Sequence, residues 1–277
     1  MRIQLIDTGY FHADCGVMFG AIPKTAWQYR YPCDDKNQCV LAMRSALVRA
    51  ADGRIVLIDT GAGNKQLKQL SYYGFFNLTD LAEELSKRDV SPEQITDVVL
   101  THLHFDHCGY LTRKDEAGET STPVFPNATH WVSRGQWDNS HRPNPLEKDS
   151  YFIEDIDALS KANKIRLVDE DTDLCCDIRL RLYDGHTSGQ IVPYIKTPER
   201  TVVFAGDVIP LVANVSPEWI SAYDTFPVTS YYEKVRMLEE ASAEGQALIY
   251  CHDAYVCCST IRKVKDFYKT DKKLTYD

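Results

Sequence analysis

Apolar residues fall along this chain in short runs, most too brief for helices and several with the two-residue period of a strand. Residues 2–6, 40–49 and 55–58 read as strands. The last is apolar at every position, as a strand buried on both faces requires. Ile178, Leu180 and Leu182 alternate with Arg179, Arg181 and Tyr183, the pattern of a half-buried strand. Further strands are predicted over 95–100, 127–132, 165–168, 192–196, 201–205 and 247–251. Helical spacing is rarer. Leu78, Leu81 and Leu85 share one face of a helix that Asn77 or Thr79 would cap, with Glu83/Lys87 and Glu84/Arg88 as four-apart pairs on its wet side. Ser230 with Glu233 forms a capping box that would open a second helix, and Gly245 would close it. The basic run 262–273, broken by Asp266 and Asp271, reads as a solvated helix face. Residues 134–150 read as a long irregular connection, a lid or an inert surface loop.

A length of 277 residues would permit two domains, yet no linker rich in Pro, Gly or Ser divides the chain. A single domain over residues 1–277 is expected. At 44% hydrophobic and 26% charged the composition is that of an ordinary globular protein. A formal net charge of −9 weighs against a nucleic-acid partner, because phosphate binding draws on clustered Lys and Arg. No run of 18 apolar residues offers a membrane span, and no N-terminal apolar stretch with a cleavage site signals export. The nine cysteines are odd in number and none has zinc-finger spacing. A reduced, soluble, cytoplasmic protein is the expectation.

Candidate chemistry is concentrated in seven side chains: His102, His104, Asp106 and His107 within THLHFDH, then His186, Asp207 and His252. They use five of the eight histidines. Imidazole and carboxylate suit zinc and its first-row neighbours, and seven such groups exceed what one tetrahedral ion accepts. Two ions are implied, with one ligand shared between them. Asp207 is the best bridge, because it has two oxygens and follows a short apolar strand through Gly206. Cys108 and Cys251 adjoin these residues and read as small buried packing groups.

HxHxDH at 102–107, GHTSG around His186, Gly206-Asp207 and the late His252, preceded by LIDTG at 57–61, resemble the motifs of the metallo-β-lactamase superfamily. The likeness spans nearly the whole chain. It implies a mixed α/β (α+β) fold, a four-layer αββα sandwich with a dinuclear site at one edge of its two sheets. By the same likeness one ion takes His102, His104 and His186, the second takes Asp106, His107 and His252, and Asp207 lies between. The ions would be divalent transition metals, zinc first, with manganese or iron as alternatives. A bridging hydroxide would be the nucleophile, and Asp106 the catalytic proton carrier to the leaving group. Asp59 either orients a ligand imidazole or forms an Asx turn.

Segments 15–27 and 206–227 resemble a narrower branch of quorum-quenching-lactonase-like and methyl-parathion-hydrolase-like enzymes. The expected activity is therefore hydrolysis of an ester-like bond in a small molecule, a lactone first. A glyoxalase-II-type thioesterase shares the ligand set and stays open, as does a phosphotriester hydrolase. Phe19, Trp27, Ile209, Trp219 and Tyr223 are candidates for an apolar substrate wall. The likeness also suggests a homodimer, held partly by the N-terminal segment. One departure stands out: homoserine lactonases carry Tyr three residues after the bridging Asp, where this chain has Pro210.

Overall fold

The computed structural model describes residues 1–114 and 121–276. The first sheet begins with β1 (Arg2–Asp14), β2 (Gln38–Arg49), β3 (Ile55–Ile58) and β4 (Asp97–Val99). After a small hairpin of β5 (Thr112–Lys114) and β6 (Ser121–Pro123), it is completed by β7 (Thr129–Ser133) and β8 (Ile165–Val168). Its order is β1-β2-β3-β4-β7-β8, antiparallel as far as β3 and parallel beyond. The second sheet contains β9 (Thr172–Cys175), β10 (Ile178–Tyr183), β11 (Gln190–Lys196), β12 (Thr201–Phe204), β13 (Ala247–Ile249), β14 (Cys258–Val264) and β15 (Phe267–Leu274), in sequence order across the sheet. Only β12 and β13 pair parallel.

Strand alternation sets the layers. Val56 and Ile58 of β3 pack in one cluster with Val202, Phe204, Ala247 and Ile249, so the two sheets face each other. Leu57, pointing the opposite way, packs with Leu81 and Leu85 of the helix Leu81–Ser86 and with Ile156 and Leu159 of the helix Ile153–Lys161. On the far side of the second sheet, Val203 and Leu248 pack with Met237, Leu238 and Ala241 of the long helix Pro227–Glu244. The order helix, sheet, sheet, helix follows. Each fully buried Val, Leu or Ile in these layers contributes about 1.5–3 kcal/mol relative to exposure.

Five local expectations are corrected. The segment 262–273 is the hairpin of β14 and β15, not a helix: Lys263 pairs with Tyr268 and Val264 with Phe267 across a turn in which Lys265 is left-handed. Its lysines line an edge strand, where exposed charge discourages pairing with other chains. Asp80, rather than Asn77 or Thr79, caps the helix Leu81–Ser86, its Oδ1 accepting from the amides of Ala82 and Glu83 at 2.9 and 3.1 Å. Lys87 and Arg88 both reach Glu84, so the Glu83/Lys87 pair does not form. The long helix starts at Pro227, which leaves Ser230 inside it, and Glu233 accepts from the amides of Asp184 and Gly185 at 2.8 Å each. The connection 134–150 is half helical: Ser133 caps a helix over Arg134–His141. Among the described residues no helix is long and apolar enough to cross a membrane.

Candidate metal centre

All seven predicted side chains meet at one edge of the sandwich. His102, His104, Asp106 and His107 lie in the loop and short helix after β4, and Asp59 follows the parallel β3. His186 follows β10, Asp207 follows β12 and His252 follows β13. The last three strands run in one direction, since β11 is antiparallel to both β10 and β12 while β12 and β13 are parallel. Their C-terminal ends therefore share an edge, where loops on a rigid frame hold the site.

The two oxygens of Asp207 face different partners. Oδ2 lies 3.4 Å from His186 Nε2 and 4.0 Å from His102 Nε2. Oδ1 lies 3.1 Å from His252 Nε2 and 3.4 Å from His107 Nε2. His104 Nδ1 joins the first set at 3.4 Å from His186 Nε2, and Asp106 Oδ2 joins the second at 3.5 Å from His252 Nε2. Gly206 makes this approach feasible: its φ is +52°, and a Cβ there would stand 2.9 Å from the Gln190 side chain. With its amide oxygen turned inward, Gln190 accepts from the amides of Asp207 and Val208 at 3.2 Å each.

Each imidazole is held from behind by its other nitrogen. His107 Nδ1 meets Asp59 Oδ2 at 2.8 Å, His104 Nε2 meets Glu147 Oε2 at 3.0 Å and His186 Nδ1 meets Asp224 Oδ1 at 3.0 Å. His252 Nδ1 meets the Ala42 carbonyl at 2.8 Å, and His102 Nδ1 meets the Thr101 hydroxyl at 3.1 Å. Five ring nitrogens are thus left converging on Asp207. His102 Nε2 is buried with no hydrogen-bond partner, an arrangement that is costly unless something accepts its lone pair. Burial first, then the neighbouring His107 and His104, push the His102 pKa well below its ordinary value. Its neutral form is the one a metal binds. Burial opposes ionisation of Asp207, but His252, His107 and His186 outweigh it and hold its pKa well below the usual carboxylate range. Two ligand groups, His102/His104/His186 and Asp106/His107/His252, have donor atoms close enough to hold an ion each. These residues fit a pair of divalent ions.

Asp59 has a left-handed backbone (φ 55°) and accepts from the amide and hydroxyl of Thr101, 2.8 Å each, as well as meeting His107. It therefore turns the chain and buttresses the loop that carries Thr101 to His107 at once. Glu147 and Asp224 were not singled out from sequence; they lie 43 and 38 residues from the histidines they hold, and no local spacing marks such partners. Cys251 does more than pack, since its thiol lies 3.1 Å from Asp207 Oδ1. Cys108 bonds the Leu103 carbonyl at 3.3 Å, and His141 lies outside the cluster, against Trp137.

A cavity of about 180 Å3 opens onto the cluster, with Phe11, Met18, Leu41, Tyr73 and Phe105 as apolar lining. Of the five wall candidates only Tyr223 lines it. Phe19 and Trp27 are buried and stack on each other at 5.5 Å, and Trp219 meets Phe19 edge-on, so these rings form the packing behind the wall. Ile209 is buried beneath the long helix. Large rings in one segment saturate one another's surface before a ligand does.

The metallo-beta-lactamase superfamily model matches residues 44–244. The chain belongs to that superfamily. A probable metal-dependent hydrolase from Staphylococcus aureus has a similar structure, with 28% identity and a TM-score of 0.86 over 99% of this chain and 98% of that one. AidC, a dizinc quorum-quenching lactonase in complex with a homoserine product, superposes with a TM-score of 0.78 at 18% identity, covering 99% and 95% of the two chains. An N-acyl homoserine lactone hydrolase with product at its catalytic metal centre gives 0.68 at 18% identity, over 91% and 93%.

Proposed function

We propose that this chain, a metal-dependent hydrolase by its family, cleaves an ester-like bond in a small neutral substrate, a lactone first. His102, His104 and His186 would hold one divalent ion, Asp106, His107 and His252 the other, with Asp207 between them. Ions so held would polarise a carbonyl and lower the pKa of water from 15.7 toward about 7. The protein's own groups supply the rest. The carboxylate of Asp106 lines the cavity and is placed to carry a proton to the leaving oxygen. Asp59, Glu147 and Asp224 keep three imidazoles in one tautomer. Zinc is the favoured metal, on the histidine-rich donor set and the dizinc site named for AidC.

One observation carries the substrate class: no Lys or Arg lines the cavity among the described residues, whereas Asp106, Glu147, Asp207 and Asp224 do. A glutathione thioester, which bears two carboxylates, finds no Lys or Arg side chain there to pair with them, while a neutral ring ester meets the apolar lining. The same absence favours a phosphotriester, also neutral, as the second reading. A single domain, a homodimer and a cytoplasmic setting belong to the proposal too. The nine unpaired cysteines support the cytoplasmic setting; the family likeness alone suggests the dimer.

The test compares kcat/KM of zinc-reconstituted protein across γ- and δ-lactones, acyl homoserine lactones, aryl esters, a phosphotriester and S-lactoylglutathione. Lactones should lead. A clear preference for the glutathione thioester would overturn the assignment.

A further inference from the structure

Five side chains gather around the two carboxylate oxygens of Glu147. Its Oε2 lies 3.0 Å from His104 Nε2, 2.9 Å from the Tyr151 hydroxyl and 2.7 Å from the Thr187 hydroxyl. Its Oε1 accepts from the Asn139 and Asn144 amides at 2.6 and 2.5 Å. These partners come from the helix Arg134–His141, the turn after it, the far end of the rim and the loop after His186. Glu147 is only 4% exposed, yet Leu146 beside it is 84% exposed and lines the cavity, as does Ser150. The segment 142–151 thus forms a rim whose folded path runs through one buried carboxylate.

Two amides and two hydroxyls point hydrogens at it, and donors on every side are what a carboxylate anion accepts. An anion there accepts the Nε2–H of His104 and leaves Nδ1 as the nitrogen that faces the cluster. A buried carboxylate missing any of these donors would lose much of its compensation, since leaving such a group unsatisfied costs more than the bond gains. The rim and the His104 tautomer therefore stabilise each other.

We propose that Glu147 is a positioning residue that couples the order of the cavity rim, residues 142–151, to metal binding at His104. With an ion held by the cluster, His104 would keep its Nε2–H turned to Glu147, and Glu147 would keep the rim in place beside the cavity. Coupling of this kind is reciprocal, so a disordered rim must weaken metal binding by the same factor by which metal strengthens the rim. The inference rests on His104 being a ligand and not on the substrate class.

Two measurements test it. Amide hydrogen exchange over residues 142–151 is followed by mass spectrometry on wild-type protein stripped with chelator and then reloaded with two equivalents of zinc. Zinc affinity is measured by competition with a chromophoric chelator, on wild type and on Glu147→Gln. Zinc should slow exchange across the rim in wild type. Glu147→Gln should abolish that slowing and weaken binding of one ion about 10–100-fold, the usual cost of losing a partner behind a ligand histidine. The wild-type arm needs no variant, so it decides the coupling even where the substitution disturbs the rim. Identical exchange with and without two bound ions would overturn the inference, as would unchanged zinc affinity in a folded Glu147→Gln. Zinc-dependent slowing in a protein that opens no lactone would support it while sinking the substrate reading.

Discussion

Gly185 lies directly against the backbone of the long helix at Ser230: a Cβ on Gly185 would stand 2.4 Å from the Ser230 Cα. One turn further on, Glu233 accepts the amides of Asp184 and Gly185. The loop that carries His186 is thereby pinned to the helix that covers the second sheet, and only glycine fits at the contact. Gly185→Ala should force the two backbones apart, destabilising the fold by roughly 1–3 kcal/mol, the usual range for overpacking. Because His186 is the next residue, metal affinity should fall as well. Thermal unfolding of the metal-free protein and a zinc titration read the two effects separately; a variant with unchanged melting temperature would refute the close-packing account.

Asp207 and Asp106 occupy different places in the cluster and should fail differently. Asp207 faces both ligand groups through separate oxygens, while Asp106 touches only one and lines the cavity. Asp207→Ala should drop the metal content below two ions per chain by elemental analysis. Asp106→Asn should keep most of the metal and lose about 10²–10⁴ in kcat, the range for a proton-transfer group. Full metal occupancy with an undiminished kcat in Asp106→Asn would remove it from the chemistry.

Why the seven clustered side chains were legible in sequence and the groups behind them were not is a matter of range. THLHFDH declares four groups within six residues, and the short apolar runs ending at 205 and 251 mark strand ends that deliver Asp207 and His252. The strand at 55–58 was legible as one buried on both faces and the layer order came from the family likeness, whereas the face each residue takes, Val56 and Ile58 one way and Leu57 the other, shows only in the packing. Glu147 and Asp224 are ordinary surface-type residues in sequence and acquire their roles only when the sandwich edge closes. The same limit explains the misread hairpin at 262–273: its charge pattern suits any exposed face, and what makes it a strand is pairing with Cys258–Val264. The wall aromatics failed for a third reason, since a sequence lists rings but does not say that Phe19, Trp27 and Trp219 will spend their faces on one another.

Behind His107, Asp59 combines a buried carboxylate with a left-handed backbone, a conformation that Asn also adopts readily. Asp59→Asn therefore preserves the turn while replacing a charged acceptor with a neutral one. Zinc affinity should drop about 10–100-fold with little change in melting temperature of the metal-free protein. Asp59→Ala should lose both, since Ala is strained at positive φ. If Asn and Ala behaved alike in the zinc titration with equal stability, the turn and the buttress would not be separable functions of this residue.

His130 offers a pH test away from the metal cluster. It is fully buried in β7, and burial, the largest cause, lowers its pKa from 6.5 to about 4. The unfolded chain therefore binds more protons than the folded one between pH 6.5 and 4, so the contribution of this residue is complete above 6.5 and is lost as the pH falls through that window. At about 1.4 kcal/mol per pKa unit, the loss from this one group is roughly 3 kcal/mol. His130→Leu cannot take up the proton, so the difference in unfolding free energy between wild type and variant should move in the variant's favour as pH drops from 7 to 4. Urea unfolding of the metal-free proteins across that range measures it. Because every other titrating group is shared, the difference isolates position 130, and a difference that stays flat with pH would mean that the imidazole reaches solvent or a proton acceptor in the folded state.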